Sequence, residues 1–124
     1  MKVLKKLNHE NVLALEHFEE NDRQLCVITE YCNGGDLEQL IAKKKKLPEY
    51  LALSILEDII KGYGHLAANN ILHRDIKPAN IFMSNGRAKL ADFGFAMTMK
   101  YQYSLFSDVF SKEQAVGSPL YMPP

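Results

Sequence analysis

Four residues in the middle of the sequence carry side chains that could act together on a phosphate group. They are Asp75, Lys77, Asn80 and Asp92. Asn80 and Asp92 offer an amide oxygen and a carboxylate, the hard oxygen ligands of which Mg²⁺ usually takes one or two from a protein. Asp75 could accept the proton of a substrate hydroxyl, and Lys77 could neutralise a transferring phosphate as a point charge. This set of residue types predicts phosphoryl transfer, which needs in-line geometry, charge neutralisation and a bridging divalent cation.

A tight hairpin is expected to bring the two candidate metal ligands together. Two β-rich runs, Ile81–Met83 and Ala88–Ala91, flank a Ser-Asn-Gly-Arg turn, and Asn-Gly is the strongest short-range hairpin signal. Because the strands of a hairpin are antiparallel, its two open ends meet in space. Asn80 and Asp92 lie at those ends, so the sequence predicts that they converge.

The first third of the chain is predicted to hold a hairpin and a short helix. Met1–Leu7 has the spacing of a helix end. Val12–Phe18 and Leu25–Thr29 are predicted strands joined by a polar turn. Asp36 is placed to cap a helix from Leu37 to about Ala42.

A long helix from Glu49 to about Ala68 is predicted next, preceded by Pro48 and rich in apolar residues. It is expected to be mostly buried. Gly62 and Gly64 each cost such a helix about 1 kcal/mol, so a close packing partner is expected at both. The four lysines before it, residues 43–46, fit either a solvated connection or a docking patch for an acidic partner. After Gly94 no periodic pattern follows.

Composition limits the function classes. The 124 residues are 47% hydrophobic and 24% charged, and fifteen basic residues balance fifteen acidic ones, so the net charge does not favour nucleic acid as a partner. No apolar run reaches the roughly 20 residues of a membrane span. Cys26 and Cys32 are expected to be reduced thiols. These features predict a soluble cytoplasmic domain.

Two motifs give the sequence a resemblance to a known family. His73-Arg74-Asp75-Ile76-Lys77-Pro78-Ala79-Asn80, followed by Asp92-Phe93-Gly94, resembles the signature of eukaryotic protein kinases. Lys77 within Asp-Ile-Lys-Pro-Ala-Asn is similar to the serine/threonine class. The sequence also looks most like the autophagy-initiating branch of that class. The resemblance implies an α+β fold that is part of a kinase domain, with ATP and Mg²⁺ as cofactors and a protein serine or threonine as acceptor.

The same resemblance implies a nucleotide site. The gatekeeper position is Thr29, the backbone at Glu30 and Cys32 would bind adenine, Asp36 would contact the ribose, and Phe82 would lie beneath the base. Each has a structural alternative, since Glu30 could simply end a strand, Asp36 cap a helix and Phe82 fill the core. Four positions correspond to a stacked hydrophobic spine: Leu4, Leu15, His73 and Phe93.

The resemblance also covers the segment that would receive the substrate. Gly117-Ser118-Pro119 is similar to it, and Ser118 would contact Asp75 and Lys77, which implies catalytic roles for all three. Arg74 implies a phosphate or carboxylate partner, or only a nearby acid. The position that often carries an activating phosphate is Gln114, and the candidates that could replace it are Ser104, Ser107, Ser111 and Glu113.

The printed sequence departs from the family pattern at both ends. It holds no glycine-rich Gly-x-Gly-x-x-Gly segment and no strand lysine for the phosphates. Near its end, Pro123 stands where the Ala-Pro-Glu of the family has alanine, and the printed sequence stops before the glutamate. We therefore expect residues 1–32 to be a small-lobe remnant with the hinge, and residues 33–124 to be part of the large lobe. The polypeptide alone is expected to be marginally stable and nearly inactive.

Three functional hypotheses follow from the sequence. The first is the central piece of an active serine/threonine kinase. The second is a non-catalytic, pseudokinase-like module that binds a partner or nucleotide. The third is a purely structural interaction module, which would make the intact Asp75, Lys77, Asn80 and Asp92 a coincidence.

Overall fold

The computed structural model describes residues 7–21, 23–98 and 116–122. Within these residues the structure has six strands and two helices, named here in chain order: β1 Leu15–Glu20, β2 Leu25–Thr29, α1 Leu37–Lys44, α2 Glu49–Ala68, β3 Ile71–Leu72, β4 Ile81–Ser84, β5 Arg87–Leu90 and β6 Met97–Thr98. The same residues include the 3₁₀ turns Pro78–Asn80 and Pro119–Tyr121. The expected helix end over residues 1–7, the spine position Leu4 and the candidate phosphate positions between 104 and 114 lie outside the described residues, except for Leu7.

The first hairpin is present, but its first strand begins later than predicted. β1 and β2 pair antiparallel from Leu15 opposite Thr29 to Glu20 opposite Leu25. Val12 does not join β1, because residues 11–13 pair with β5 instead. The N–H of Leu13 donates to the carbonyl of Leu90 over 2.9 Å. In return, the N–H of Leu90 donates to the carbonyl of Asn11 over 2.9 Å. The predicted β-rich run is therefore divided between two partners.

The short helix α1 begins where the sequence predicts. The carboxylate of Asp36 accepts a hydrogen bond of 2.8 Å from the N–H of Gln39, which satisfies one of the unpaired donors of the first turn. The helix extends to Lys44, and the helical backbone angles stop at Lys45, which has φ of 62° and ψ of −37°.

The long helix α2 has the predicted bounds but is less buried than expected. Its buried residues are Ile55, Asp58, Gly62 and Leu66. Several of its apolar residues are exposed: Tyr50, Leu53, Leu56, Ile60 and Tyr63.

The two glycines of α2 differ. A Cβ at Gly62 would collide with the backbone oxygen of Asn11, so the predicted close packing partner is there. A Cβ at Gly64 would meet nothing within 4 Å, and the same prediction was wrong for that residue. Gly62 lies on the face of the helix that meets the loop of residues 9–11, and Gly64 does not. The presence of a glycine in the sequence does not indicate which face of the helix it lies on.

The second hairpin forms the centre of the core. β4 and β5 pair from Ile81 opposite Leu90 to Ser84 opposite Arg87, as the Asn-Gly turn predicts. Helix α2 packs against β5, where the Asp58 carboxylate accepts the N–H of Ala88 over 2.9 Å. The buried apolar cluster comprises Leu7, Val12, Leu37, Ile55, Leu66, Ile71, Ile81, Met83, Ala88 and Leu90. The hairpin thus fixes the positions of the residues at its open end.

A third, very short strand pair was not predicted. β3 pairs with β6, with Ile71 opposite Thr98 and Leu72 opposite Met97. This pairing holds the segments on either side of the second hairpin together. No helix in the described part of the chain has the length and apolar character needed to cross a membrane.

Candidate active site

Asp75 lies at the centre of a network of hydrogen bonds at the open end of the second hairpin. Its side chain is 2% exposed, and its Oδ2 accepts a hydrogen bond of 2.8 Å from the amide of Asn80. The Nζ of Lys77 lies 3.1 Å from the same oxygen. The other oxygen, Oδ1, accepts the backbone N–H of Ser118 over 2.9 Å. Three of the sequence-predicted residues therefore contact Asp75 directly.

Ser118 is brought to Asp75 and Lys77 from the far end of the described chain. Its Oγ accepts a hydrogen bond of 2.6 Å from the Nζ of Lys77. The residue before it, Gly117, has φ of 124°, and a Cβ there would come within 2.6 Å of the carbonyl oxygen of Arg74. Glycine is therefore required for this close approach. Arg74 itself donates from Nε to the carbonyl of Phe95 over 2.8 Å.

The surroundings of Asp75 keep it ionised. Burial raises the pKa of the carboxyl group, but hydrogen bonds from Ser118, Lys77 and Asn80 and the charge of Lys77 together outweigh it, so the pKa of Asp75 lies below its ordinary value. Donors that favour the charged form act in this direction. A carboxylate with this environment can accept a proton at neutral pH.

The two candidate metal ligands lie at the ends of adjacent strands, as predicted. The N–H of Ala91 donates to the carbonyl of Asn80 over 2.9 Å, so Asp92 directly follows the residue paired with Asn80. Asn80 directs its amide nitrogen to both the backbone oxygen and Oδ2 of Asp75. Its Oδ1 is left without a donor among the described residues.

Asp92 has a strained backbone and a largely available carboxylate. Its φ of 57° lies in the left-handed region, which costs a residue with a side chain about 1–2 kcal/mol. One oxygen accepts the N–H of Gly94 over 3.1 Å, and the side chain is otherwise exposed. An amide oxygen and a carboxylate on neighbouring strand ends fit Mg²⁺, which keeps most of its ligands as water or substrate oxygens. The described residues hold no cluster of three His, Cys, Asp or Glu side chains.

The buried side chain of His73 contacts the backbone on both sides of this site, at Asp75 and at Ala91. Its ring is 1% exposed, and its Nε2 lies 2.9 Å from the carbonyl of Ala91. Its Nδ1 accepts the N–H of Asp75 over 3.3 Å, so the neutral ring donates from Nε2. Burial lowers the pKa of His73, against smaller opposing contributions from Ala91, Asp75 and Asp92. The ring of Phe93 lies 5.1 Å away, centroid to centroid.

Two of the predicted nucleotide residues, Asp36 and Phe82, lie next to each other on the second hairpin and the segment beside it. Asp36 forms an isolated bridge with Phe82, and Phe82 is half-buried. The N–H of Gly34 donates to the carbonyl of Met83 over 2.8 Å, and a Cβ at Gly34 would lie 2.7 Å from that of Met83. The segment after the hinge therefore runs alongside β4, with Asp36 and Phe82 on adjacent backbones.

Cys32 and Glu30 occupy the hinge between β2 and this segment. Burial, followed by the charge of Glu30, raises the pKa of the Cys32 thiol, so Cys32 is a free, protonated thiol at neutral pH. The carboxylate of Glu30 accepts hydrogen bonds from the N–H of Ala14 over 2.8 Å and from Lys89 over 2.9 Å. The contact with Lys89 was missed at the sequence level. An acidic residue and a lysine far apart in a sequence are too common for their contact to be predicted from the sequence.

An apolar cavity of about 340 Å³ separates the first hairpin from the Asp92-Phe93-Gly94 loop. Thr29, the predicted gatekeeper, lies on its wall with Leu15 of the predicted spine. The remaining lining residues are Leu7, Leu13, Leu25, Val27, Asp92, Phe93 and Gly94. The predicted gatekeeper and the candidate metal ligand therefore both line this cavity.

A family model described as the protein kinase domain matches residues 1–124. Among characterised proteins, the chain is 37% identical over 125 residues to serine/threonine-protein kinase TIO of Arabidopsis thaliana, covering 100% of this chain and 9% of that protein. It is 37% identical over 134 residues to ULK1 of Homo sapiens, covering 100% of this chain and 12% of that protein. It is 38% identical over 128 residues to serine/threonine-protein kinase ULK3 of Xenopus laevis, covering 100% of this chain and 26% of that protein. The chain thus spans between about a tenth and a quarter of the length of these relatives.

Proposed function

This chain belongs to the protein kinase domain family, and from that premise we propose that it carries the chemistry of an ATP-dependent serine/threonine protein kinase. Its α+β arrangement is part of a kinase fold. The reaction would transfer the γ-phosphate of ATP to the hydroxyl of a protein serine or threonine. The observation that supports this most strongly is the contact of Asp75 with Lys77, Asn80 and Ser118 in one buried network.

Each member of the network has a role in the proposed reaction. Asp75, ionised and already oriented by three donors, accepts the proton of the substrate hydroxyl. Lys77 places its positive charge next to Asp75, where charge on the transferring phosphoryl oxygens would develop. Ser118 holds the Lys77 ammonium in place through its hydroxyl, and its backbone holds Asp75.

Asn80 and Asp92 are the proposed protein ligands of Mg²⁺. When bound, Mg²⁺ would neutralise and orient the phosphates of ATP. Asn80 suits this role because both of its amide hydrogen bonds go to Asp75, which turns its oxygen away from the network. We assign the adenine to the backbone at Glu30 and Cys32, the ribose to Asp36 and the floor of the base site to Phe82.

Four further assignments belong to this proposal. The protein acts in the cytoplasm, and its macromolecular partner is a protein substrate rather than a nucleic acid. Residues 1–32 belong to the small lobe and residues 33–124 to the large lobe. The 124 residues alone would transfer little phosphate, because the printed sequence has neither a glycine-rich loop nor a strand lysine to hold the phosphates.

A second candidate is a non-catalytic, pseudokinase-like module that binds a partner or a nucleotide without phosphotransfer. The printed sequence holds no glycine-rich segment and no strand lysine for the phosphates, which favours this candidate for the 124-residue polypeptide taken alone. It differs from the first candidate in its catalysis and shares its nucleotide site.

Thermal unfolding of the 124-residue chain with Mg-ATP tests the nucleotide site. A ligand that binds only the folded state increases the free energy of unfolding by RT ln(1 + [L]/Kd) and so raises the melting temperature. We expect millimolar Mg-ATP to raise it, Asp92→Asn to reduce the Mg²⁺-dependent part, and Asp75→Asn to leave the shift in place. Absence of any shift with the wild-type chain would count against a nucleotide site.

Phosphotransfer is tested separately with a serine/threonine peptide mixture. A slow rate that Asp75→Asn removes supports the kinase, whereas binding without any rate supports the second candidate. A fast rate from the 124 residues alone would contradict the expected inactivity.

A further inference from the structure

The hinge is fastened to the second hairpin through one carboxylate oxygen. The Oε1 of Glu30 accepts the N–H of Ala14 over 2.8 Å and the ammonium of Lys89 over 2.9 Å. The backbone N–H of Glu30 returns a bond of 3.1 Å to the carbonyl of Ala14. Three segments, the entry to β1, the hinge and β5, therefore meet at Glu30.

This ion pair is more sheltered than a surface pair. The side chain of Lys89 is 14% exposed and that of Glu30 is 25% exposed. For comparison, the Lys61–Glu57 pair on α2 has exposures of 45% and 67%. Screening by water and salt weakens exposed pairs most, so of these two pairs Lys89–Glu30 is the one expected to constrain the backbone.

Lys89 lies between the parts of the proposed nucleotide site. In the register of the second hairpin it is opposite Phe82, and Phe82 in turn bridges Asp36. Three residues after Lys89 the same strand leads to Asp92. A side chain at this position can fix the distance between the hinge and the floor of the site without reaching the ligand.

The other end of the same hairpin holds the chain just beyond the hinge. Asn33 donates from its amide to the Oδ1 of Asn85 over 2.9 Å, and its own Oδ1 accepts the N–H of Asn85 over 3.1 Å. Gly34 and Gly35 exchange backbone bonds with Met83 between these two points. The hinge segment is therefore attached at both ends, and the Lys89–Glu30 contact is the attachment next to the adenine-binding backbone.

We propose that Lys89 is a positioning residue for nucleotide binding, which acts by holding the Glu30 carboxylate and thereby the hinge backbone against the second hairpin. The proposal rests on the assignment of adenine to the hinge made above. Lys89 does not touch the nucleotide; it sets the position of the groups that do. Removing its charge frees Glu30 and raises the cost of ordering the hinge when a nucleotide binds.

Equilibrium binding of fluorescent ADP with Mg²⁺ to the 124-residue chain tests this role. We expect Lys89→Met to weaken binding about fivefold, the low end of typical coupling between sites. Lys89→Arg should restore most of the affinity, because the guanidinium keeps the charge and a donor. Lys61→Met, which removes an equal charge from α2, is the matched control and should change the affinity less than twofold.

Two further measurements separate positioning from a general loss of structure. Adding Glu30→Gln to Lys89→Met should weaken binding no further, because both changes break one contact. Hydrogen exchange at the amides of Ala14 and Glu30 should be faster in Lys89→Met and normal in Lys61→Met and Lys89→Arg. Wild-type affinity and exchange in Lys89→Met, or tighter binding, would overturn the proposal.

The failure of this inference can be distinguished from failure of the proposed function. If the wild-type chain does not bind the nucleotide, the proposed function fails, and so does the part of the inference that concerns affinity. The exchange experiment then still decides whether Lys89 positions the hinge, since it needs no ligand.

Discussion

The backbone N–H of Ser118 donates to the Oδ1 of Asp75 over 2.9 Å, which joins positions 43 residues apart in the chain. The hydroxyl of the same residue accepts from Lys77. One serine therefore orients both the proposed proton acceptor and the proposed phosphate-neutralising group. The Ser118 side chain also lowers the pKa of Asp75 by a hydrogen bond, so a substitution at Ser118 removes the side-chain contacts and leaves the backbone donor in place.

Replacing Lys77 is expected to change the acidity of Asp75. Lys77→Met removes a hydrogen bond and a nearby positive charge, both of which stabilise the carboxylate, while the burial that opposes ionisation remains. The pKa of Asp75 should therefore rise toward or above the ordinary value of about 4. Carboxyl-carbon NMR titration measures it directly.

Ser118→Ala should also raise the pKa of Asp75, because the hydrogen bond of the Ser118 side chain lowers it, although the backbone N–H of residue 118 remains as a donor. Lys61→Met is the control for a lost surface charge. An identical titration midpoint in Lys77→Met and the wild type would contradict the proposed contact.

The buried imidazole of His73 predicts loss of stability in mild acid. Burial lowers its pKa, so between that lowered value and the unfolded value of about 6.5 the unfolded state binds more protons. The contribution is fully present above about pH 6.5 and is lost as the pH falls below it, with a slope of at most about 1.4 kcal/mol per pH unit.

Urea unfolding between pH 5 and 8 measures this slope. His73→Gln should be less stable at every pH, because the contact with Ala91 changes. Its free energy of unfolding should also depend less on pH, because the contribution of one titrating imidazole is removed. His17→Gln alters an exposed side chain of β1 and should keep the wild-type slope. A slope that His73→Gln leaves unchanged would show that another group is responsible.

The two glycines of α2 form a matched pair for a stability measurement. Gly62→Ala would force a methyl group against the backbone of Asn11, which is fully buried and donates to Ala88, and we expect a loss of about 1–3 kcal/mol. Gly64→Ala enters open space and should gain about 0.5–1 kcal/mol from helix propensity. Denaturation midpoints of the two variants should move in opposite directions, and movement in the same direction would contradict the packing at Gly62.

Two substitutions of Asp36 distinguish its role as a helix cap from its proposed contact with ribose. Asp36→Ala loses the bond to Gln39 and should cost about 1 kcal/mol, whereas Asp36→Ser keeps a capping oxygen and should cost little. Both lack the carboxylate proposed to contact ribose, so both should weaken ADP binding. Calorimetry of unfolding and binding separates the two effects, and full ADP affinity in Asp36→Ser would reduce Asp36 to a helix cap.

Features set by neighbouring residues could be read from the sequence. The Asn-Gly turn fixed the second hairpin and with it the approach of Asn80 to Asp92. The bounds of β2 and α2 followed from strong local patterns, and so did the Asp36 cap. These signals succeed because the interaction that stabilises each element is made within a few residues of the chain.

Features set by the choice of a distant partner could not. Val12 lies in a β-rich run but pairs with Leu90. The two-residue strands β3 and β6 are too short to have a periodic pattern. The fastening of Glu30 by Lys89 needs the whole hairpin in place before the two side chains meet. In each case the sequence supplies a residue of suitable type, and tertiary structure supplies the partner.

The left-handed backbone at Asp92 also sets a limit on engineering. Arg74, at φ of 66°, also has a positive φ, and it directly precedes Asp75. Glycine would relieve about 1–2 kcal/mol of backbone strain at either position. A laboratory selection for thermostability alone would therefore favour glycine at Asp92 and remove the carboxylate proposed to hold Mg²⁺. Selection for the folded chain and selection for the proposed reaction act in opposite directions at this residue.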